Sequence, residues 1–324
     1  MVEKMVIEKR SLGGTELQVT PIGMGVMQFS GGAGLMGAAF PTMSQEEKNS
    51  LVKTALQGGI NWFDTAEMYG FGQSERNLSQ ALQDLGIHDG EVKVATKWFP
   101  FFRTARNISR SITTRLNNLR PYPIDLYYIH QPFSFSSAEA EMDAMADLVA
   151  AGKVRNIGVS NFNAERMRRA HAALAKRGLK LAANQVHYSL IHRQIETDGT
   201  LETARELGVS IVAYTPLEYG LLTGIYHKNP DLLQKKAFFR RGGFQSRLDS
   251  TRPLMSVMEE IAGKYDATPG QVALNWLVNF HGSMVVAIPG ATKTSQVEQN
   301  AGVMRFKLSE EELERLDKLS EAFR

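Results

Sequence analysis

The chain has no cysteine in 324 residues. That absence removes disulfide frameworks, thiolate metal sites and cysteine nucleophiles, and it agrees with a reducing compartment. Nowhere do the roughly 18 consecutive apolar residues needed to span a bilayer occur. The opening MVEKMVIEKRSLGG lacks an apolar core and is interrupted by acidic residues, so it does not read as a secretory leader. Charge excess is missing too. The 37 Lys and Arg against 34 Asp and Glu leave +3, too near balance for a nucleic-acid or membrane-surface partner. These absences leave a soluble, cytoplasmic globular protein that works on small molecules.

The chain does contain a regular alternation of short apolar runs and amphipathic helical segments. A hairpin is expected first, with Val6–Arg10 and Leu17–Thr20 flanking the Gly13-Gly14-Thr15 turn. Eight strand candidates follow: 22–27, 60–64, 92–97, 124–130, 154–159, 181–187, 210–214 and 284–289. Ser44 with Glu47 and Ser309 with Glu312 have capping-box spacing, Asn163 is a cap residue, and Thr268-Pro269 suits a helix start. Strands that each lead into a helix pair in parallel through right-handed crossovers. Eight of them predict an α/β fold, a (β/α)8 TIM barrel over residues 1–324 as one domain, with the hairpin closing the bottom. Leu217–Thr251 reads as a long loop after the seventh barrel strand, too long for a plain connector.

Barrel chemistry sits at the carboxyl ends of the strands. The second barrel strand ends in GINWFDTAEMYG, with Asp64 at its tip and Tyr69 just beyond. The third ends at Lys97 in KVATKW, and the fourth at His130 in DLYYIHQP. A phenol, with its pKa of about 10, is a weak acid at neutral pH. An adjacent ammonium lowers that pKa, and a carboxylate keeps a buried lysine charged. Asp64 suits that last role, and His130 can orient a carbonyl oxygen. Singly, each residue has a bland reading as a turn, packing, rim or core residue. Their coincidence at three successive strand ends favours the chemical one.

These motifs resemble the aldo-keto reductase family, whose catalytic tetrad falls on Asp64, Tyr69, Lys97 and His130. The resemblance continues through IGVSNF (157–162), NQVHYS (184–189), AYTPLEYGLLTG (213–224) and IPGATKTSQVEQN (288–300). It implies reduction of a small carbonyl substrate by NADPH, with NADH as a possible donor. Ser160, Asn161 and Gln185 are then the nicotinamide carboxamide contacts, and Tyr214 the stacking ring. Thr215, Leu217, Gly220 and Leu221 would run along the pyrophosphate. Gly290 and Lys293, beside a helix start where backbone N–H groups favour an anion, would take phosphate. Gln296, Gln299 and Asn300 resemble adenine contacts. Many relatives carry arginine and glutamate where Gln296 and Gln299 stand, and the neutral pair is closer to the potassium-channel β-subunit-like branch. That branch keeps open a second reading, a cofactor-binding regulatory subunit or redox sensor with little turnover. The oligomeric state is open.

Other signals point elsewhere and are weaker. Gly32–Gly37 matches a dinucleotide-binding glycine string, but it lacks a preceding strand and a later acidic residue. A carboxylate-pair hydrolase would need a second catalytic acid, and Glu67 has no assigned role. No metal is expected, since the seven histidines are scattered and no Asp or Glu lies at ligand spacing from His187 and His192. Met27, Phe29, Trp98 and Gln131, with Phe99, Phe101, Phe102 and Phe133, are expected to wall a substrate pocket suited to apolar or aromatic carbonyls.

Overall fold

The computed structural model describes residues 7–32, 42–233 and 238–324, side chains 233–245 apart. Val6 and most of the Gly32–Gly37 string lie outside the described residues. Strands β1 (Arg10–Ser11) and β2 (Gln18–Val19) form the antiparallel hairpin, with Arg10 opposite Val19. Eight parallel strands follow: β3 (Met24–Gly25), β4 (Trp62–Asp64), β5 (Lys93–Trp98), β6 (Ile124–Ile129), β7 (Val154–Ser160), β8 (Leu181–His187), β9 (Ser210–Tyr214) and β10 (Val285–Ala287). They are ordered in space as in sequence. Ile22 bridges Ala287 and Gly25 bridges Gly290, so β10 returns to β3 and the (β/α)8 barrel closes.

The period of two along each strand divides the interior into two cores. Trp62, Ala95, Leu126, Tyr128, Val212 and Val286 fill the barrel, joined from below by Leu12, Leu17 and Val19 of the hairpin. The alternate residues, among them Phe63, Val94, Tyr127 and Ile129, pack outward against the helices. Gly13 presses on the start of β8 at a φ of 56°, where a Cβ would lie 2.5 Å from the Ala182 carbonyl oxygen. Only glycine suits that turn, and it seats the hairpin on the barrel floor.

The helices start where the caps indicate. Capping boxes form at Ser44 with Glu47, Thr268 with Gln271 and Ser309 with Glu312, and the Asn163 side chain accepts from the Arg166 N–H. One expectation needs correction. The region after β9 is not an irregular loop: short helical turns at Glu218–Thr223, Ile225–Lys228 and Pro230–Leu233 precede a helix over Phe238–Lys264. Gly242-Gly243 and Pro253 disguise that helix, since both residue types oppose helix propensity locally. Among the described residues, no helix is long and apolar enough to cross a membrane.

Candidate active site

Strand parity decides which side chains reach the barrel mouth. In β5, Ala95 belongs to the inner core while Val94 and Trp98 belong to the outer one, so Lys97 projects inward. Its ammonium is fully buried, pairs with Asp64 at the tip of β4, and donates to the Thr65 carbonyl at 2.8 Å. It also lies 3.5 Å from the Tyr69 hydroxyl. Gln185 of β8 donates from Nε2 to the second Asp64 oxygen at 2.9 Å. Tyr69 sits on a turn closed by its own N–H to the Ala66 carbonyl. His130 follows β6, where its N–H bonds to the Trp98 carbonyl, and its ring meets Tyr69 edge-on with centroids 5.8 Å apart.

Burial disfavours charge throughout this cluster, yet it does not neutralise it. Burial opposes the Lys97 charge, but Asp64, then Tyr69, outweighs it and holds the lysine above its ordinary pKa. For Tyr69 the balance differs from the sequence expectation. Burial outweighs the pull of Lys97, and the phenol lies above 10 rather than below it. Tyr69 is therefore a protonated donor at neutral pH. Burial, aided by Lys97, holds His130 well below the ordinary histidine value, so its ring is neutral. Its Nδ1 is buried and has no hydrogen-bond partner among the described residues. A buried lysine paired with a carboxylate, a protonated phenol in reach and a neutral imidazole opposite can protonate an oxygen placed between the two rings.

Comparison with known proteins identifies the family. Residues 21–321 match the aldo/keto reductase family. The chain belongs to that family. An uncharacterised oxidoreductase of Mycobacterium tuberculosis is 38% identical over 311 residues, covering 95% of this chain and 91% of the relative. A glycerol dehydrogenase from Gluconobacter oxydans is similar in structure, with a TM-score of 0.79 at 26% identity, over 97% of this chain and 95% of that one. An aldo-keto reductase from Klebsiella pneumoniae, solved in complex with NADPH, gives a TM-score of 0.73 at 26% identity over the same shares of the two chains, 97% and 95%. The protein is an oxidoreductase on a (β/α)8 barrel.

The other rim residues of this aldo/keto reductase fall into two groups. Ser160, Asn161, Gln185 and Tyr214 come together. Ser160 Oγ donates to the Gln185 carbonyl at 2.9 Å, Asn161 Nδ2 donates to Ser160 Oγ at 3.2 Å, and the Tyr214 hydroxyl donates to Asn161 Oδ1 at 3.0 Å. Left-handed backbone concentrates here, at Asn161, Thr215, Glu218 and Tyr219. Non-glycine residues persist in that region only where the surroundings impose it, and such strain gathers at ligand sites. Leu217 and Gly220 are half-buried on the same segment, whereas the Leu221 side chain is fully buried in the outer core. Gly290, Lys293, Gln296 and Gln299 are exposed around the start of the helix Thr294–Gly302, and Asn300 is buried. Gln296 Oε1 accepts from the Thr292 and Lys293 N–H groups at 2.8 and 3.2 Å. Two of the backbone donors at this helix start are thus engaged by the helix's own glutamine.

Two pocket expectations are corrected. Phe29 and Trp98 are fully buried in the outer core, and Trp98 Nε1 donates to Asn107 Oδ1 at 3.0 Å. Trp98 follows inward-facing Lys97 by one residue, so parity sends it to the helix layer. Met27 and Gln131 are half-buried at the rim. Phe99, Phe101, Phe102 and Phe135 instead form a run of ring contacts, with spacings of 6.1, 4.2 and 6.1 Å, that begins on His130.

Glu67 has a role that its sequence position does not reveal. It accepts from the Phe99 N–H at 3.1 Å and from Arg103 at 2.8 Å, and Arg115 stands 3.3 Å away. The Tyr69 turn is thereby tied to the segment that carries Phe99 against His130. A second group was also hidden. His187, His192 and Glu218 meet although 31 residues separate His187 from Glu218, which corrects the expectation that no acid lies near the two histidines.

Proposed function

We propose that this enzyme reduces aldehydes and ketones to alcohols with NADPH, Tyr69 donating the proton to the carbonyl oxygen, as one domain over residues 1–324. The observation that carries the reading is the buried Asp64–Lys97 pair, placed 3.5 Å from the Tyr69 hydroxyl and facing neutral His130. The rim suits the cofactor: Ser160, Asn161 and Gln185 offer both donors and acceptors for a carboxamide, beside the Tyr214 ring. When bound, a reduced nicotinamide supplies the hydride. The chain's own groups do the rest. His130, neutral and edge-on to the Tyr69 ring, orients the carbonyl oxygen. Tyr69 releases its proton to that oxygen, and the Lys97 ammonium stabilises the phenolate left behind. Asp64 keeps Lys97 charged, and Gln185 steadies Asp64.

The phenylalanine run leading out from His130 supports apolar or aromatic carbonyl substrates, since Phe101 and Phe102 are 53% and 74% exposed. The exposed Lys293 supports a preference for NADPH, tempered by neutral Gln296 on the adjacent amides. Neutral Gln296 and Gln299 also favour the potassium-channel β-subunit-like branch and, with it, slow cofactor release. Titration of the protein's fluorescence with NADPH and NADH, followed by a carbonyl panel read at the reduced-nicotinamide absorbance, tests the proposal. Saturable NADPH binding with turnover of aromatic aldehydes is expected. Absence of nicotinamide binding would end the reading.

A further inference from the structure

We infer that His187, His192 and Glu218 form a binding site for a divalent transition-metal ion, Zn2+ being the natural probe. Three separate pieces of chain converge here. His187 ends β8, His192 closes the turn 189–192, and Glu218 opens the helical turns after β9. One ligand atom from each lies within 4.8 Å of the others. Two imidazoles and a carboxylate are a ligand set that zinc accepts, with a fourth position left for water.

The groups around the site hold its carboxylate in place. Glu218 is 1% exposed, and its Oε1 already meets two donors, His187 Nε2 at 2.6 Å and Ser189 Oγ at 2.9 Å. Oε2 pairs with Arg247 at 3.0 Å. Ser189 and Arg247 thus orient the buried carboxylate at both oxygens before any ion arrives, which is the usual work of a metal site's outer partners. The His192 ring makes no hydrogen bond to a described residue; its contact is the His187 ring, stacked at 3.6 Å and 16°. It is therefore available, and a turn of the ring out of the stack aims its lone pair at an ion that replaces the proton shared by His187 Nε2 and Glu218 Oε1, those two atoms parting from their 2.6 Å hydrogen bond to admit it. The reciprocal backbone bonds between Ser189 and His192 fix the turn that carries it. Neither the position nor the chemistry belongs to the Asp64–Lys97–Tyr69 cluster. The His187 ring also stacks on Tyr214, at 5.4 Å and 15°, so an ion here would join β8 to the strained segment after β9.

The test is calorimetric titration of the intact protein with Zn2+, repeated with His192→Phe and Glu218→Gln, and with Co2+ for its visible spectrum. His192→Phe keeps a ring against His187 and touches none of the residues assigned to carbonyl reduction, so its NADPH affinity and metal-free turnover should match wild type. The expected result is one zinc per chain in the wild type, with a tetrahedral Co2+ spectrum. Each variant should weaken binding by at least the roughly 10- to 100-fold that even outer partners of such sites are worth. Stoichiometric zinc that survives both substitutions would place the ion elsewhere and overturn the assignment. So would the absence of zinc binding by wild type that binds NADPH normally.

Discussion

Over β4 to β6 the rim is dry: Lys97 is fully buried, Asp64 is 2% exposed, and each is held by the other. Beyond β10 the rim is wet: Gly290, Lys293, Gln296 and Gln299 all face solvent, and the helix start is capped from within. In the dry half a charge has fixed partners and no water to replace them, so the loss of one is felt in full. In the wet half every interaction competes with solvent and salt. Chemistry needs the first condition, because an ammonium acts strongly on a phenol only where the dielectric is low. Binding of a large, charged, exchangeable molecule fits the second.

Lys97→Met tests the dry half hardest. It removes the charge beside Tyr69 and leaves Asp64 buried without its partner, a change that typically costs about 3–5 kcal/mol of stability. Turnover should fall at least as far as in Tyr69→Phe. The wild-type stability curve gives a second check. Lys97 sits above its ordinary pKa in the folded state, so its contribution is fully present below about 10.4, the unfolded lysine value, and is lost as pH rises through the folded value. Denaturant unfolding across that alkaline window should show the decline in wild type and a flatter course in Lys97→Met. A fully active variant with an unchanged profile would sever Lys97 from the mechanism.

Tyr69→Phe should lower kcat by about 10²- to 10⁴-fold, the usual worth of a general acid, with NADPH affinity nearly unchanged. Because burial lifts the phenol, the wild-type rate should fall only on the alkaline side, above about 10. Wild-type turnover of a slow carbonyl substrate by the Phe variant would assign the proton to another group.

Much of this dry half was legible in the sequence, for a physical reason. Asp64 and Tyr69 lie in one short segment, and strand ends mark the mouth of a barrel, so Lys97 and His130 could be placed without knowing a single contact. Parity was harder to read. Trp98 is one residue beyond Lys97 and therefore faces the helices, an inference available from the period of two but obscured by the aromatic run that follows. The meeting of His187 with Glu218 was out of reach, because it depends on how residues 215–224 fold back over β8. The same holds for Gln296, which turns back onto its own helix start. Trp98→Ala sharpens the point about parity. A large cavity in a packed core costs about 3–5 kcal/mol, so the unfolding midpoint should drop while KM for an aromatic aldehyde stays near wild type. A large rise in KM with stability intact would return Trp98 to the substrate pocket.

The smallest effect belongs to the wet half. Lys293 is exposed beside the start of the helix Thr294–Gly302, so a 2′-phosphate there gains a cation. It gains the Thr292 and Lys293 amides only by displacing Gln296 Oε1. A charge-assisted hydrogen bond in a protected site is worth about 10- to 150-fold in affinity. Salt screening and the competing glutamine both push the value to the low end, near tenfold. Among the described arginine side chains of the region after β9, Arg247 is engaged with Glu218 and Arg252 with Asp249, and the preference is assigned to Lys293. Lys293→Ala should therefore bring NADPH and NADH affinities close together, chiefly by weakening NADPH, and added salt should do the same to wild type. Gln296→Ala offers the opposite sign, since freeing the two amides should tighten NADPH. Equal affinities in the wild type, or a preference that survives Lys293→Ala, would move the source of discrimination away from this helix.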